Sequence, residues 1–244
     1  MEKVLHVQKK EGETPLELIE RIRSEQPEYE GVKMTYAGRL DPLASGEMII
    51  LCADEVHNKQ KYLNKDKEYE VDIVLGVSTD TYDGLGLVMD EGVIKNGWQE
   101  KVKKYIDSHV GEFEQSYPAY SSKTVDGEQL HIISKRGDLV ELPLHKVVLC
   151  SAEIVELRTI SKEDLYPEIT RKNALVNGDF RQVEIGQRWQ DYFDQTEMAE
   201  YPVVSVKMKV GSGFYVRTFA NDLGKYLKSE AFALKIVRIA ILDK

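Results

Sequence analysis

Alternation of apolar and polar positions marks the strands of this chain. In "KEYEVDIVLGV", Tyr69, Val71, Ile73 and Leu75 fall on one face, and Glu70, Asp72 and Val74 on the other. "VVSVKMKV" likewise sets Val204, Val206, Met208 and Val210 against Ser205, Lys207 and Lys209. "EMIILCA" reads as a buried strand, "HKVVLCSAEIVELRTI" as a further strand, and "KIVRIAIL" as the closing one. Helical signals lie between them. In "EGETPLELIERIRSE", Thr14 is a good N-cap, Pro15 suits the first helical position, and Glu17 completes a Thr-x-x-Glu capping box. Leu16, Ile19 and Ile22 are predicted to share its apolar face. "NGWQEKVKKYIDSHVG" carries Trp98, Val102, Tyr105, Ile106 and His109 near helical spacing, with Gly111 as the predicted C-cap. After a turn at Gly211–Gly213, Val216, Phe219, Leu223 and Leu227 stripe another helix. "STDTYDGLGLV" has the chemistry of a turn leading into a strand. "EFEQSYPAYSSKTVDGEQLHIISKRGD" reads as a long loop with a short helix and exposed tyrosines at Tyr117 and Tyr120. Residues 161–200 follow no clear period outside a helix at "RQVEIGQRWQDYF".

Strands and helices mix without strict βαβ alternation. The predicted fold class is α+β, with a mixed, largely antiparallel central sheet flanked by helices. Residues 1–244 are read as one domain with an insertion at about 161–200.

Composition changes this picture in three places. No run approaches the ~18 uninterrupted apolar residues of a membrane span. "MEKVLHVQKK" lacks the apolar block of an export signal, so a cytoplasmic protein is expected. Cys52 and Cys150 each sit in an apolar run and are expected to be two buried thiols. The net charge of −9 argues against broad, sequence-blind binding of nucleic acid. From Tyr201 to Lys244, however, 8 Lys+Arg stand against 3 Asp+Glu, so a basic face on an acidic body is possible. There is no nucleotide-binding glycine motif and no zinc-protease motif. Asp80 and Asp83 do not have the alternate spacing of a calcium loop. Chemistry without metal or cofactor is the economical expectation.

"TYAGRLDPLASGEMIIL" holds the candidate chemistry. A residue before proline is pushed into an extended conformation, so Pro42 fixes the direction of Asp41. A rigidly aimed carboxylate suits a nucleophile or a transition-state stabiliser. Taken by itself, Asp-Pro followed by Ser and Gly is more commonly just a turn. Tyr69 opens a strand face. Arg217 follows a Gly-rich turn at a helix start, and if buried it needs an anionic partner.

Five stretches, in order, resemble TruB-type tRNA pseudouridine synthases. "KKEGETPLELIERIR" is similar to K-P-x-G-x-T-S and the helix after it, with Lys10 where the proline usually stands. "TYAGRLDPLASGEMIIL" resembles G-H-T-G-x-L-D-P-x-A-x-G-x-L, and "DKEYEVDIVLGVSTDTYDGLGLV" resembles K-x-Y-x-x-x-x-x-L-G-x-x-T-D-T-x-D-x-x-G. "YPAYSSKTVDGEQLHIISKRG" and "VGSGFYVRTFANDLGKYL" resemble the two remaining motifs, the second being C-S-x-G-T-Y-I-R-T-L-x-x-D-L-G. The resemblance implies the pseudouridine synthase catalytic fold. It implies an isomerase that turns a uridine of RNA, in the T-loop of tRNA, into pseudouridine without metal or cofactor, as a cytoplasmic monomer. It makes Asp41 the catalytic aspartate, acting at ribose C1′ or as the initiating base at C2′. Tyr69 would stack on the target base and assist loss of the C5 proton, and Arg217 would pair with Asp41. Substrate contacts are expected from Tyr36, Arg39, Lys123, Arg136, Tyr215 and Arg238, with Lys135, Lys207 and Lys209 as further phosphate partners.

The chain also departs from the pattern. Tyr36 replaces the family's His, which puts the choice of RNA in question. Arg39 creates "GRLD", an echo of the RluA and RsuA families, which modify rRNA or several RNAs. No PUA-like domain is expected after "VRIAILDK". Residues 161–200 have no counterpart, and the 11 acidic against 6 basic residues of the wider stretch from Glu153 to Glu200 argue against RNA contact there. The same chemistry on another RNA such as rRNA, or a non-catalytic RNA-binding or RNA-folding protein on this scaffold, are the alternatives.

Overall fold

The alternating segments pair into one eight-stranded sheet, in a computed structural model that describes residues 1–138 and 141–243. In chain order the elements are β1 (Val4–Lys9), α1 (Pro15–Glu25), β2 (Met34–Ala37), β3 (Ser45–Cys52), α2 (Lys59–Leu63) and β4 (Asp66–Leu75). Then come β5 (Val77–Thr79), β6 (Val88–Glu91), α3 (Trp98–His109), β7 (Gly111–Ser116), β8 (Thr124–Val125), β9 (Glu128–Gln129) and α4 (Leu130–Lys135). The chain closes with β10 (Leu144–Ser161), α5 (Lys162–Leu175), α6 (Gln182–Gln195), β11 (Glu200–Val210), α7 (Val216–Leu227) and β12 (Ala231–Leu242).

The sheet order is β1-β3-β12-β4-β11-β10-β7, with β2 added on β3. All its pairs are antiparallel except β12 with β3. The α+β class and the antiparallel centre follow the sequence pattern. Alternation decides which side chains face which layer. Tyr69, Val71 and Ile73 of β4 join Val204, Val206 and Met208 of β11 in a core under α1, α3 and α7. Val74, Val203 and Phe232 point the other way, into a second core closed by Leu165 and Ile169 of α5 and Trp189 and Phe193 of α6. Glu70 and Asp72 give way to Val74 on β4 where this second layer begins. No described helix is long and apolar enough to cross a membrane.

Several local expectations are corrected. The capping box of α1 forms as read, with Glu17 N donating to Thr14 Oγ1 at 3.2 Å and Thr14 N donating to Glu17 Oε2 at 2.7 Å. Its buried face, though, is Pro15, Leu18, Ile19 and Ile22, and Leu16 is exposed because it lies off that stripe. Gly111 does not cap α3. It opens β7 at φ 116°, and Val110 is the cap. The supposed long loop therefore contains an edge strand. Cys52 is buried, but Cys150 is exposed, because in β10 it is out of phase with inward-facing Val147 and Leu149. Residues 162–195 form a helix pair that leaves the sheet after β10 and returns at β11.

The segment between β2 and β3 is anchored from below. Lys9 is 1% exposed, and its ammonium donates to the carbonyls of Lys10 (2.9 Å), Pro42 (3.0 Å) and Glu13. Gly12 N also donates to Pro42 O, at 3.0 Å. Ala44 N donates to Asp41 O at 3.1 Å, which closes the turn. At the start of β3, Gly46 adopts φ 110°, and a Cβ there would stand 2.1 Å from the Arg238 carbonyl oxygen. Only glycine lets β3 and β12 meet at this point.

Two outcomes follow. Gly46→Ala should lower unfolding stability by about 3 kcal/mol or more, read by urea denaturation, and a loss under about 1 kcal/mol would contradict the close approach. Lys9→Met should cost about 2–4 kcal/mol, because three partly buried carbonyls lose their shared donor. Burial pushes the Lys9 pKa down to about 8, against the pull of Glu13 and Asp41. The unfolded chain thus binds the extra proton between pH 8 and the ordinary lysine value, so the stability supplied by Lys9 rises with pH across that window. The gap between wild type and Lys9→Met should widen from pH 7.5 to pH 9.5, and a narrowing gap would contradict the assignment.

Candidate active site

Distant parts of the chain converge on one cavity of about 690 Å³. The β2–β3 segment brings Gly38, Arg39 and Asp41, and the β5–β6 turn brings Thr81 and Asp83. The start of α7 brings Tyr215 and Arg217. The sheet supplies the floor, where register sets Tyr69 of β4 beside Arg238 of β12.

Arg217 lies at its centre. Its side chain is 4% exposed, whereas that of Asp41 is 36% exposed, so the pair has one buried partner and one facing the cavity. Arg217 Nε donates to Asp41 Oδ2 at 2.7 Å and lies 3.6 Å from Asp83 Oδ2. Its other nitrogens donate to the carbonyls of Thr81 and, at 3.3 Å, Tyr120. Burial works against the charge on Arg217, but Asp41 and Asp83 outweigh it and hold its pKa above the ordinary value. Asp83 is itself buried, and burial pushes its carboxyl pKa up although Arg217 pulls it back. Thr81 Oγ1 and Leu85 N donate to Asp83 Oδ1 at 2.7 and 3.0 Å. The guanidinium is thus held on every side, and a side chain so gripped fixes the orientation of the carboxylate it meets.

The structure brings Asp41, Tyr69 and Arg217 together, with Arg39 exposed at the rim and Tyr215 in the wall. Burial raises the Tyr215 phenol pKa, with a further push from Asp41. Arg238 also lines the cavity, but it is a buried floor residue rather than a surface phosphate partner. It stands in phase with Ile236 on β12, donates to Glu47 O (2.6 Å) and Gly38 O (2.9 Å), and has Nη1 3.5 Å from the Tyr69 hydroxyl.

Other expected contacts lie elsewhere. Tyr36 is not in the lining. It packs against the main core, with the Lys59 ammonium 5.0 Å from its ring centroid. Arg136 is exposed and paired with Glu128 (2.6 Å) and Asp138 (2.9 Å). Lys123 sits over the Tyr117 ring, at 4.9 Å, outside the lining. Lys135 lines the cavity and donates to Asp179 O at 3.1 Å. Lys207 and Lys209 are on the sheet face opposite Tyr69, and Lys207 pairs with Glu68 at 2.7 Å. The sequence reading missed Asp83, Lys9, Phe180 and Arg181. For Asp83 the signal was present, since it closes the Thr-Asp-Thr-x-Asp stretch next to the expected site.

The chain is similar to known proteins in sequence and in fold. The sequence profile of the TruB family pseudouridylate synthase (N terminal domain) matches residues 26–170. The tRNA pseudouridine synthase B of Aquifex aeolicus is 26% identical over 243 residues, covering 99% of this chain and 69% of that protein. The protein of the same name from Caldanaerobacter subterraneus is 32% identical over 154 residues, covering 63% of this chain and 53% of the relative. That of Bacteroides thetaiotaomicron is 25% identical, with 98% and 85% covered. Among solved structures, a Cbf5–Nop10–Gar1 complex contains a chain with a TM-score of 0.58 at 17% identity, covering 98% of this chain and 48% of that one. This likeness concerns the fold. The profile spans more than half of the sequence, and the chain belongs to the TruB family of pseudouridylate synthases.

Proposed function

We propose that the protein is a tRNA pseudouridine synthase acting on a uridine of the T-loop. The observation that carries this reading is the buried Arg217 holding a cavity-facing Asp41 at 2.7 Å, above a floor that contains Tyr69. The cavity volume of about 690 Å³ is within the range of small-ligand sites and accommodates an extruded nucleotide. Extrusion from the stack costs a few kcal/mol, which RNA contacts around the rim must supply.

The reaction breaks the bond from ribose C1′ to N1 of uracil, turns the base, joins C1′ to C5, releases the C5 proton and returns a proton to N1. Substrate and product are isomers, so no oxidant, reductant or group donor enters the balance. Asp41 meets the sugar by attack at C1′ or by removal of the C2′ proton. Both routes need an aimed carboxylate, and the Arg217 contact at 2.7 Å supplies the aim. Tyr69 offers its ring to the base, and its hydroxyl faces Arg238 at 3.5 Å.

The test is tritium release from transcripts labelled at uridine C5. Wild type should release tritium from the T-loop uridine of tRNA, and release only from rRNA would overturn the tRNA assignment. Asp41→Asn should lose activity by at least about 10³-fold while binding tRNA within about twofold of wild type, and a variant that turns over normally would end the proposal. Arg217→Ala should reduce the single-turnover rate by about 10³-fold with affinity changed less than about threefold. The reverse pattern, weak binding with a normal rate, would contradict its role in holding Asp41 for the reaction.

A further inference from the structure

The β10–β11 ladder runs to its last register pair, Ser161 with Glu200, where a tight hairpin would suffice. The chain instead makes the α5–α6 excursion. The segment joining these helices, 176–181, returns to the cavity and contributes Asp179, Phe180 and Arg181 to its lining. Its shape is fixed from within. Gln182 Nε2 donates to the carbonyls of Val176 (2.9 Å) and Gly178 (2.8 Å), and Gln182 Oε1 accepts from Phe180 N (3.0 Å). Arg181 adopts φ 63°, a left-handed conformation that a residue with a side chain keeps only where its surroundings impose it.

The result is a presented guanidinium. Arg181 lies 4.5 Å over the ring centroid of Tyr120, with Nη1 2.7 Å from Asp80 Oδ2. This is its one hydrogen bond among the described residues, so Nε and Nη2 keep donors uncommitted in a side chain 19% exposed. The neighbouring acid is accounted for, since Asp179 lies 3.6 Å from Lys135 Nζ. The Tyr120 carbonyl in turn accepts from Arg217 at 3.3 Å, so the platform is one residue removed from the Asp41–Arg217 pair.

We propose that Phe180 and Arg181 form an RNA-contacting wall supplied by the excursion. The uncommitted edge of Arg181 takes a phosphate beside the extruded nucleotide. Its plane on Tyr120, with Phe180 alongside, gives a surface on which a flanking base stacks. The inference rests on the RNA-modifying reading of the site, and it reverses the expectation drawn from the segment's acidity. The average charge of 161–200 hides the one arginine that faces the cavity.

The experiment compares wild type with Arg181→Met, Arg181→Lys and Phe180→Ala on a T-arm stem–loop transcript. It reads affinity by fluorescence anisotropy across a salt series and single-turnover rate at saturating RNA. Arg181→Met should weaken binding about tenfold, lower the salt slope by about one phosphate contact, and leave the saturated rate within about threefold. Arg181→Lys should recover part of the affinity, and Phe180→Ala should weaken binding without changing the salt slope. Unchanged affinity and slope in Arg181→Met would overturn the proposal. So would a fall in rate and melting temperature at unchanged affinity, the pattern of a purely structural latch. If wild type modifies no uridine, the reading of the site fails, while the affinity and salt measurements still decide the role of Arg181.

Discussion

A guanidinium buried between two carboxylates organises this molecule. Arg217 and Asp41 are 176 positions apart, and their 2.7 Å contact ties the start of α7 to the β2–β3 segment. The same side chain fastens the β5–β6 turn through Thr81 and the 117–122 loop through Tyr120. Removing a charge of this size from water is costly, and the loss is offset only when its donors are met. Every loop that meets them is thereby fixed in place. Three separate segments around the cavity thus meet on one cation carried by α7.

Beneath it, the Asp41 turn is gripped a second time. Lys9 and Gly12 both donate to the Pro42 carbonyl, so the residue after the acid is held as firmly as the acid itself. Pro42 restricts Asp41 from within the chain, Lys9 from below and Arg217 from the side. Preorganisation of this kind spares the reorganisation that a carboxylate on a free loop would undergo on meeting its substrate.

Much of this was legible in the sequence where a residue's role follows from its neighbours. The β4 and β11 alternations and the α1 capping box are local, and they hold in the structure. Properties set by distant partners were not legible. Arg238 carries a charge that points outward on composition alone, yet its phase with Ile236 turns it into the floor. Lys207 and Lys209 share a phase that turns them away from the cavity. Cys150 sits among apolar residues but alternates out of the core. The α5–α6 pair shows mixed periodicity because its residues answer to a second core, built on Val74, Val203 and Phe232, that the sequence does not announce. Net charge was the poorest guide. A chain at −9 places Arg39, Lys135 and Arg181 around one opening.

The most direct measurement of the central claim is a crystal structure of the Asp41→Asn protein bound to a T-arm stem–loop. The account expects the target uridine out of its stack, its base against Tyr69, its ribose C1′ or C2′ within about 3–3.5 Å of the residue-41 side chain, and Arg217 still locked behind it. A stem–loop seated on another face, or a uridine still stacked in the RNA with the cavity empty, would contradict it.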